Sequence, residues 1–319
     1  MSNWPQSLLY SMVFNNLTVF FGSGVSSEFN LKTWGELVDY LGSEMILDEN
    51  SATEFKKSVE EKDYLNAIDL LFYTNEAEAI RLIEAEYMKE ETIQNIVESN
   101  EALLFNLGAS AYLTTNIDNS LEDLLSQIGK KKTIVHNYVD EKNIKSKLVT
   151  RDFEKSPLVI RLHGDLSRPE TMVFSQMQYS KIIREKNFVF EHLVPALFVS
   201  TMTVFVGYSI NDPDIQLTLE NIAKVRGLEL NLLFINTDTS ITKHKKKLFR
   251  DRFGIEVIDF FEGETQTERL KNALKELTKI RDFLVGMSSD EARDIINMGQ
   301  SSRNGKIRDI LKWTNNIHD

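Results

Sequence analysis

Five short stretches place small or polar residues directly after runs of β-branched and aromatic ones: GSGVS (22–26), TTNID (114–118), RLHG (161–164), GYSIND (207–212) and FINTD (234–238). Asn116 and His163 are of the types that handle hydroxyls and protons. An amide can orient an alcohol or a water, and an imidazole, which as a residue type titrates near neutrality, can take a proton from one. Each also has a plainer reading. A lone histidine is as often structural, and Asp118 or Asn119 reads as the cap of the helix that follows. Gly22 and Gly24 let the backbone approach a ligand, and N–H groups at the next helix start favour phosphate. Without the full G-x-G-x-x-G fingerprint, the same residues also make an ordinary strand-to-helix turn. Gly207 and Ser209 end another apolar run, with Asn211, Asp212 and Pro213 starting a helix, and Asn236 ends the last of the five.

The elements that would position these residues can be read from the pattern. LTVFFG (17–22), AYLTTN (111–116), PLVIRLHG (157–164), TVFVGY (203–208), LNLLFIN (230–236) and IEVIDF (255–260) have the length and composition of buried parallel strands. Between them lie helical periodicities such as Trp34, Leu37, Val38 and Leu41, or Ile215, Leu219 and Ile222. Alternation of this kind predicts an α/β fold, a doubly wound, mostly parallel Rossmann-like sheet. In such sheets ligands bind beyond the carboxyl ends of the strands, which is where four of the polar stretches point, those of Asn116, His163, Gly207 and Asn236. Residues 45–108 depart from the alternation and read as a helical insertion rich in Glu and Lys. The division expected is a catalytic domain over 1–283, insertion included, and a helical tail over 284–319 that starts at Ser-Ser-Asp-Glu and packs on the domain or meets a partner. The basic run TKHKKKLFRDRFG (242–254) reads as a solvated helix face.

Composition removes whole classes of function. The chain has no cysteine, so disulfides, thiolate zinc sites, iron–sulfur clusters and a cysteine nucleophile are excluded. His136, His163, His192, His244 and His318 include no pair at one-turn spacing, which leaves a histidine-led metal site without support. A net charge of −11 repels phosphate backbones, so nucleic acid is not the expected direct ligand. No apolar run approaches the roughly 20 residues that span a bilayer, and MSNWPQSLLY lacks the basic start of a secretion signal. A cytoplasmic protein without membrane contact is expected.

Taken together and in this order, the five stretches resemble the sirtuin family of NAD-consuming proteins over roughly residues 15–262. The resemblance is closest to the bacterial branch associated with antiphage defence, in which a helix-starting tryptophan, here Trp34, follows the first motif and a tyrosine, here Tyr179, follows the histidine motif. It implies that Gly22, Ser23, Gly24 and Ser26 cradle the NAD pyrophosphate, with Ser23 where alanine is common. It implies that Asn116 orients the nicotinamide ribose and the attacking nucleophile, that Asp118 binds on the nicotinamide side, and that His163 is the general base. Gly207, Ser209 and Asn236 would line the adenosine half. NAD is thus implied as substrate and zinc is not. Protein-deacylating sirtuins usually carry a four-cysteine zinc module, which this chain cannot build, and an arginine after the first motif, where this chain runs EFNLKTW (28–34). Both departures favour water as acceptor, hence an NAD glycohydrolase acting in defence. Restraint by homo-oligomerisation or by a partner such as a HerA-like ATPase or Argonaute is the corresponding expectation, with the insertion and tail as candidate contact surfaces. The alternatives are a deacylase or ADP-ribosyltransferase using the same pocket, and a subunit that senses NAD or ADP-ribose without turnover.

Overall fold

All six expected runs are strands in a computed structural model, which describes residues 4–29, 31–61, 63–87, 96–129, 132–150, 153, 156–208, 219, 232–298, 302–303 and 305–306. They are β1 Leu17–Phe21, β2 Ala111–Thr114, β4 Leu158–Arg161, β5 Met202–Val206, β6 Leu232–Asn236 and β7 Ile255–Asp259. A further strand, β3 Val135–Asn137, is not anticipated from the sequence. Three residues beside a lysine run are too few to show a period of their own. The sheet order is β3-β4-β2-β1-β5-β6-β7, and every pairing in it is parallel. The fold is a Rossmann-like α/β sheet with helices on both faces.

Side chains alternate across the strands, so each strand feeds two cores. Val19, Phe21, Tyr112, Val204 and Val206 pack on one face with Leu8, Leu121 and Leu274. Phe20, Leu113, Ile160 and Phe205 pack on the other with Phe198, Phe249 and Phe253. These strands are buried along their length and lack a polar alternate face, as parallel strands covered on both sides must.

The insertion is helical where it is described, as Glu49–Glu60, Tyr64–Tyr87 and Asn100–Phe105. The long helix breaks at Asn75, whose side-chain Oδ1 accepts from the Glu78 N–H at 3.2 Å and restarts it. Leu37, Leu41, Phe55, Ile68, Leu71 and Ile83 form a third core here. Ile117, Leu166, Met172 and Phe174 join that core from the loops that carry Asn116 and His163. Trp34 stacks on Phe174 with ring centroids 5.8 Å apart and planes 2° from parallel. One apolar face of the insertion thus closes over the carboxyl edge of the sheet.

After β7, helix Gln266–Val285 packs on the main core, and helix Ser289–Asn297 follows from a capping box between Ser288 and Glu291. Ile295 and Ile296 enter the main core, and Tyr10 donates to Asn297 Oδ1 at 2.7 Å. The basic run is helix Lys243–Phe253, which buries Phe249 and Phe253 and keeps most of its lysines and arginines at or near the surface. Of the expected helix with Ile215, Leu219 and Ile222, only Leu219 is described, and it is helical and buried; Ile215 and Ile222 lie outside the described residues.

Candidate functional site

The strand order reverses between β1 and β5: from β1 the chain winds toward β2 on one side, while β5 opens the other half. Such a reversal leaves a crevice at the carboxyl edge. Here the crevice is narrowed by backbone meeting backbone. The Gly22 N–H donates to Val206 O at 3.2 Å and the Gly24 N–H to Gly207 O at 3.0 Å. A β-carbon on Gly24 would lie 2.7 Å from Gly207 O, and one on Gly207, whose φ is +64°, would lie 2.6 Å from the Val25 nitrogen. These glycines are therefore required by the approach of the two loops themselves. Three amides of the turn, those of Gly22, Gly24 and Val25, are bonded within the protein, while Ser23 and Gly24 stay partly exposed. Tyr208, just past β5, reaches back to β1 and β2, its hydroxyl 2.6 Å from Thr115 Oγ1 and its ring centroid 5.2 Å from that of Phe20. Tyr208→Phe is expected to lower stability by about 1 kcal/mol, the net worth of one such bond, as measured by urea denaturation.

Parallel register brings the Asn116 and His163 segments side by side. Thr114 of β2 pairs with Arg161 of β4, so each candidate stands two residues beyond a matched pair. Parallel neighbours lie about 4.8 Å apart. The loops remain tied past the strand ends, with Leu162 N–H donating to Thr114 O at 2.7 Å and Leu166 N–H to Ile117 O at 3.3 Å.

Asn116 is buried, and its Nδ2 donates to Ser26 Oγ at 2.7 Å. Ser26 in turn donates to Glu101 Oε1 at 2.7 Å. Ser120 Oγ lies 3.0 Å from both Glu101 oxygens and also touches Asp118 Oδ1, which accepts the Ser120 N–H at 3.0 Å. Asp118 therefore starts the helix Ser120–Gln127 as one of the two expected caps, while the Asn119 side chain makes no cap bond. Arg161, nearly enclosed, bonds both oxygens of Glu122 and the carbonyl of Asp118. Burial works against its charge, but the carboxylates of Glu122, Asp118 and Asp165 together outweigh that and hold the guanidinium ionised.

Gly164, at φ +78°, turns the chain sharply after His163; a β-carbon there would sit 2.3 Å from Thr171 O. His163 itself is half-buried, and its carbonyl accepts from the Val173 N–H at 3.1 Å. Beyond the turn, Asp165 accepts from Asn137 Nδ2 at 2.7 Å and from Arg168 Nη2 at 3.1 Å, and Arg168 also grips Asp140 at 2.7 and 3.1 Å. The edge strand β3 thereby anchors the His163 loop through its last residue, Asn137. The Arg168 hydrogen bond holds Asp140 below the ordinary value of 3.8. A lowered carboxyl stabilises the fold above its unfolded pKa, and that contribution is lost as pH falls through the folded value. Arg168→Met is therefore expected to flatten the loss of melting temperature below about pH 4 relative to wild type. Parallel acid profiles for the two proteins would contradict the clasp.

Not every candidate joins this cluster. Asn236 is buried at the end of β6, where its amide donates to Asp259 Oδ1 at 2.7 Å and to Asp238 O at 3.1 Å, and its carbonyl accepts from the Asp238 N–H at 3.0 Å. These bonds knit β6 to β7. Ser209 lies outside the described residues. Tyr179 is a core residue set edge-on to Phe190 with centroids 5.7 Å apart. Conversely, Glu101 is absent from the sequence reading. It sits in a segment full of glutamates, and only its place on the apolar side of NEALLF could have marked it. Among the described residues no group of three or more acidic or histidine side chains is placed to hold a metal ion, and no helix is long and apolar enough to cross a membrane.

Residues 110–258 match the family model of the SIR2-like domain. Over that stretch, a little under half of its length, the chain is similar to SIR2-like domains. The SIR2-like match spans Asn116, Asp118, His163, Gly207, Ser209 and Asn236, and leaves the glycine turn, the insertion and Glu101 outside it. The chain is also similar to proteins named NAD(+) hydrolase ThsA. That of Acinetobacter baumannii is 28% identical over 211 residues, covering 65% of this chain and 39% of the relative. That of Cytobacillus dafuensis is 24% identical over 213 residues, covering 67% and 39%. That of Enterococcus faecium is 22% identical over 298 residues, covering 93% and 54%. The chain thus matches about two fifths to one half of the length of these relatives.

Proposed function

We propose that this sirtuin-like chain hydrolyses NAD, releasing nicotinamide and ADP-ribose. The observation that carries the reading is the juxtaposition of the Asn116 and His163 loops past the matched pair Thr114 and Arg161, beside the β1–β5 crevice. The NAD(+) hydrolase name of the relatives supports it.

Breaking the bond between nicotinamide and ribose leaves an oxocarbenium-like ribose, as in glycoside hydrolysis. Nicotinamide departs with the bonding pair, water adds to the ribose carbon, and one proton is released. Asn116 holds the ribose and the incoming water, and His163 takes the proton from a ribose hydroxyl. Asp118 stands on the nicotinamide side. Ser23 and Gly24 offer the partly exposed face of the turn to the pyrophosphate, with Gly22 and Ser26 shaping it from within, and Gly207, Ser209 and Asn236 lie toward the adenosine half. The hydrophobic lid formed by the insertion limits bulk water at the reacting carbon.

NAD depletion of this kind is harmful to the cell unless restrained, which fits a cytoplasmic role in antiphage defence. Restraint falls to a homo-oligomer or to a defence partner such as a HerA-like ATPase or Argonaute, with residues 1–283 as catalytic domain and 284–319 as tail. The test is nicotinamide release from NAD by the purified chain, alone and with the products of neighbouring genes. No release under any of these conditions would overturn the reading, and release only with an acylated peptide would replace it with deacylation.

A further inference from the structure

Glu101 has no solvent exposure, yet it lies between two loops that the proposed reaction needs, the turn after β1 that carries Ser26 and the loop after β2 that carries Asn116 and Asp118. On one side its Oε1 accepts from the Ser26 hydroxyl at 2.7 Å, and Ser26 Oγ accepts from Asn116 Nδ2 at 2.7 Å. On the other side both its oxygens are 3.0 Å from Ser120 Oγ, which also meets Asp118. We propose that Glu101 is a positioning residue of the NAD-cleaving site, fixing the Asn116 amide through Ser26 and the Asp118 carboxyl through Ser120. The inference rests on the hydrolase reading and adds to it a residue from the insertion, outside the span of the SIR2-like match.

The clasp depends on where its protons lie. Ser26 accepts from Asn116 and gives its one proton to Glu101. Ser120 also has one hydroxyl proton, but it faces two carboxyl groups, so all contacts are satisfied only when one of those acids is protonated. Asp118 has the Ser120 N–H as a further donor. Glu101 is the enclosed one, and burial, followed by the charge of Asp118, pushes its carboxyl up to about 8. As a neutral acid Glu101 donates to Ser120, and Ser120 donates to Asp118. The groups that face it are Asp118 from the loop after β2 and Arg161 from β4, whose guanidinium is engaged by Glu122 of helix Ser120–Gln127. At the amino end of its own helix, Glu28 accepts the Asn100 N–H and pairs with Lys271 of helix Gln266–Val285 at 3.4 Å. Glu98 and Asp123, on the neighbouring turn and helix, are exposed.

The test compares wild type, Glu101→Gln and Glu101→Ala for nicotinamide release and for melting temperature from about pH 6 to about pH 10. Gln stays neutral and can both donate and accept. It is expected to keep kcat within about threefold of wild type near pH 7 and to lack the decline that wild type shows as pH rises past about 8. Ala, which releases both loops, is expected to lose 10- to 100-fold in kcat with a smaller change in KM, the signature of misplacement by a fraction of an ångström. Equal losses in Gln and Ala, or superimposable pH profiles for wild type and Gln, would overturn the proposal. Melting temperature separates it from the hydrolase reading. A raised carboxyl is stabilising below its unfolded pKa and loses that contribution as pH climbs through the folded one, so wild type should fall behind Gln on the alkaline side. If wild type releases no nicotinamide, the hydrolase reading fails and takes the catalytic half of the proposal with it. A melting-temperature difference independent of pH removes the protonated clasp whatever the activity.

Discussion

His163→Ala is expected to lower kcat/KM for nicotinamide release by roughly 10²- to 10⁴-fold, the usual worth of a positioned general base. The fold itself should change little, because the His163 loop is held by backbone and by neighbours. The His163 carbonyl receives the Val173 N–H, Gly164 turns against Thr171, and Asp165 is gripped by Asn137 and Arg168. A melting temperature lowered by no more than a few degrees with activity lost is thus the expected pair of results. Asn116→Ala is expected to cost about 10²- to 10³-fold, the range for removing one preorganised polar group at a developing charge. It should also loosen Ser26 from its partner. A His163 variant with full activity would remove the role proposed for that residue.

The second large effect is on stability. Gly207→Ala forces an L side chain into a left-handed backbone, at about 1 to 2 kcal/mol, and drives its β-carbon to 2.6 Å from the Val25 nitrogen. Relief of that clash must part the β1 and β5 loops, which adds about 1 to 3 kcal/mol by analogy with overpacked cores. The sum, about 2 to 5 kcal/mol, should appear as a lower midpoint in urea. Gly129 provides the comparison: its φ is +77°, but a β-carbon there meets nothing within 4 Å. Gly129→Ala should therefore show only the backbone cost. If the two variants lose equal stability, crowding at the β1–β5 crevice is not what demands glycine at 207.

The glycine comparison also shows where sequence reading stops. GSGVS and GYSIND could be seen to end strands, and Gly22 and Gly24 could be seen to permit close approach, but what approaches was open. In the folded chain each loop is crowded by the other. Ser26 shows the same limit. Its hydroxyl faces Asn116 and Glu101, a direction that no spacing along the chain encodes. Asn236 stands at the expected strand end, but its amide is engaged with Asp238 and Asp259.

The insertion was legible as helix because its apolar positions repeat at the helical period, and that repeat is local. Its purpose was not legible. Ile117, Leu166, Met172 and Phe174 supply part of its core from loops far along the chain, so it packs on the loops that carry Asn116 and His163 and brings Glu101 against Ser26 and Ser120.

By itself, the sequence determined the α/β class, six of the seven strands among the described residues, the helical character of the insertion where it is described and the placement of Asn116 and His163 just past strand ends. Each of these follows from residue types and spacing within a few turns of chain, where backbone geometry imposes a period. Tertiary structure alone decided that β2 and β4 are neighbours in matched register, that three-residue β3 closes the edge, and that Gly24 and Gly207 press together. It alone decided that a glutamate among many is the one enclosed between Ser26 and Ser120. Those facts are distances between residues remote in sequence, set by which buried faces fit and which buried polar groups find partners, and no local pattern carries them.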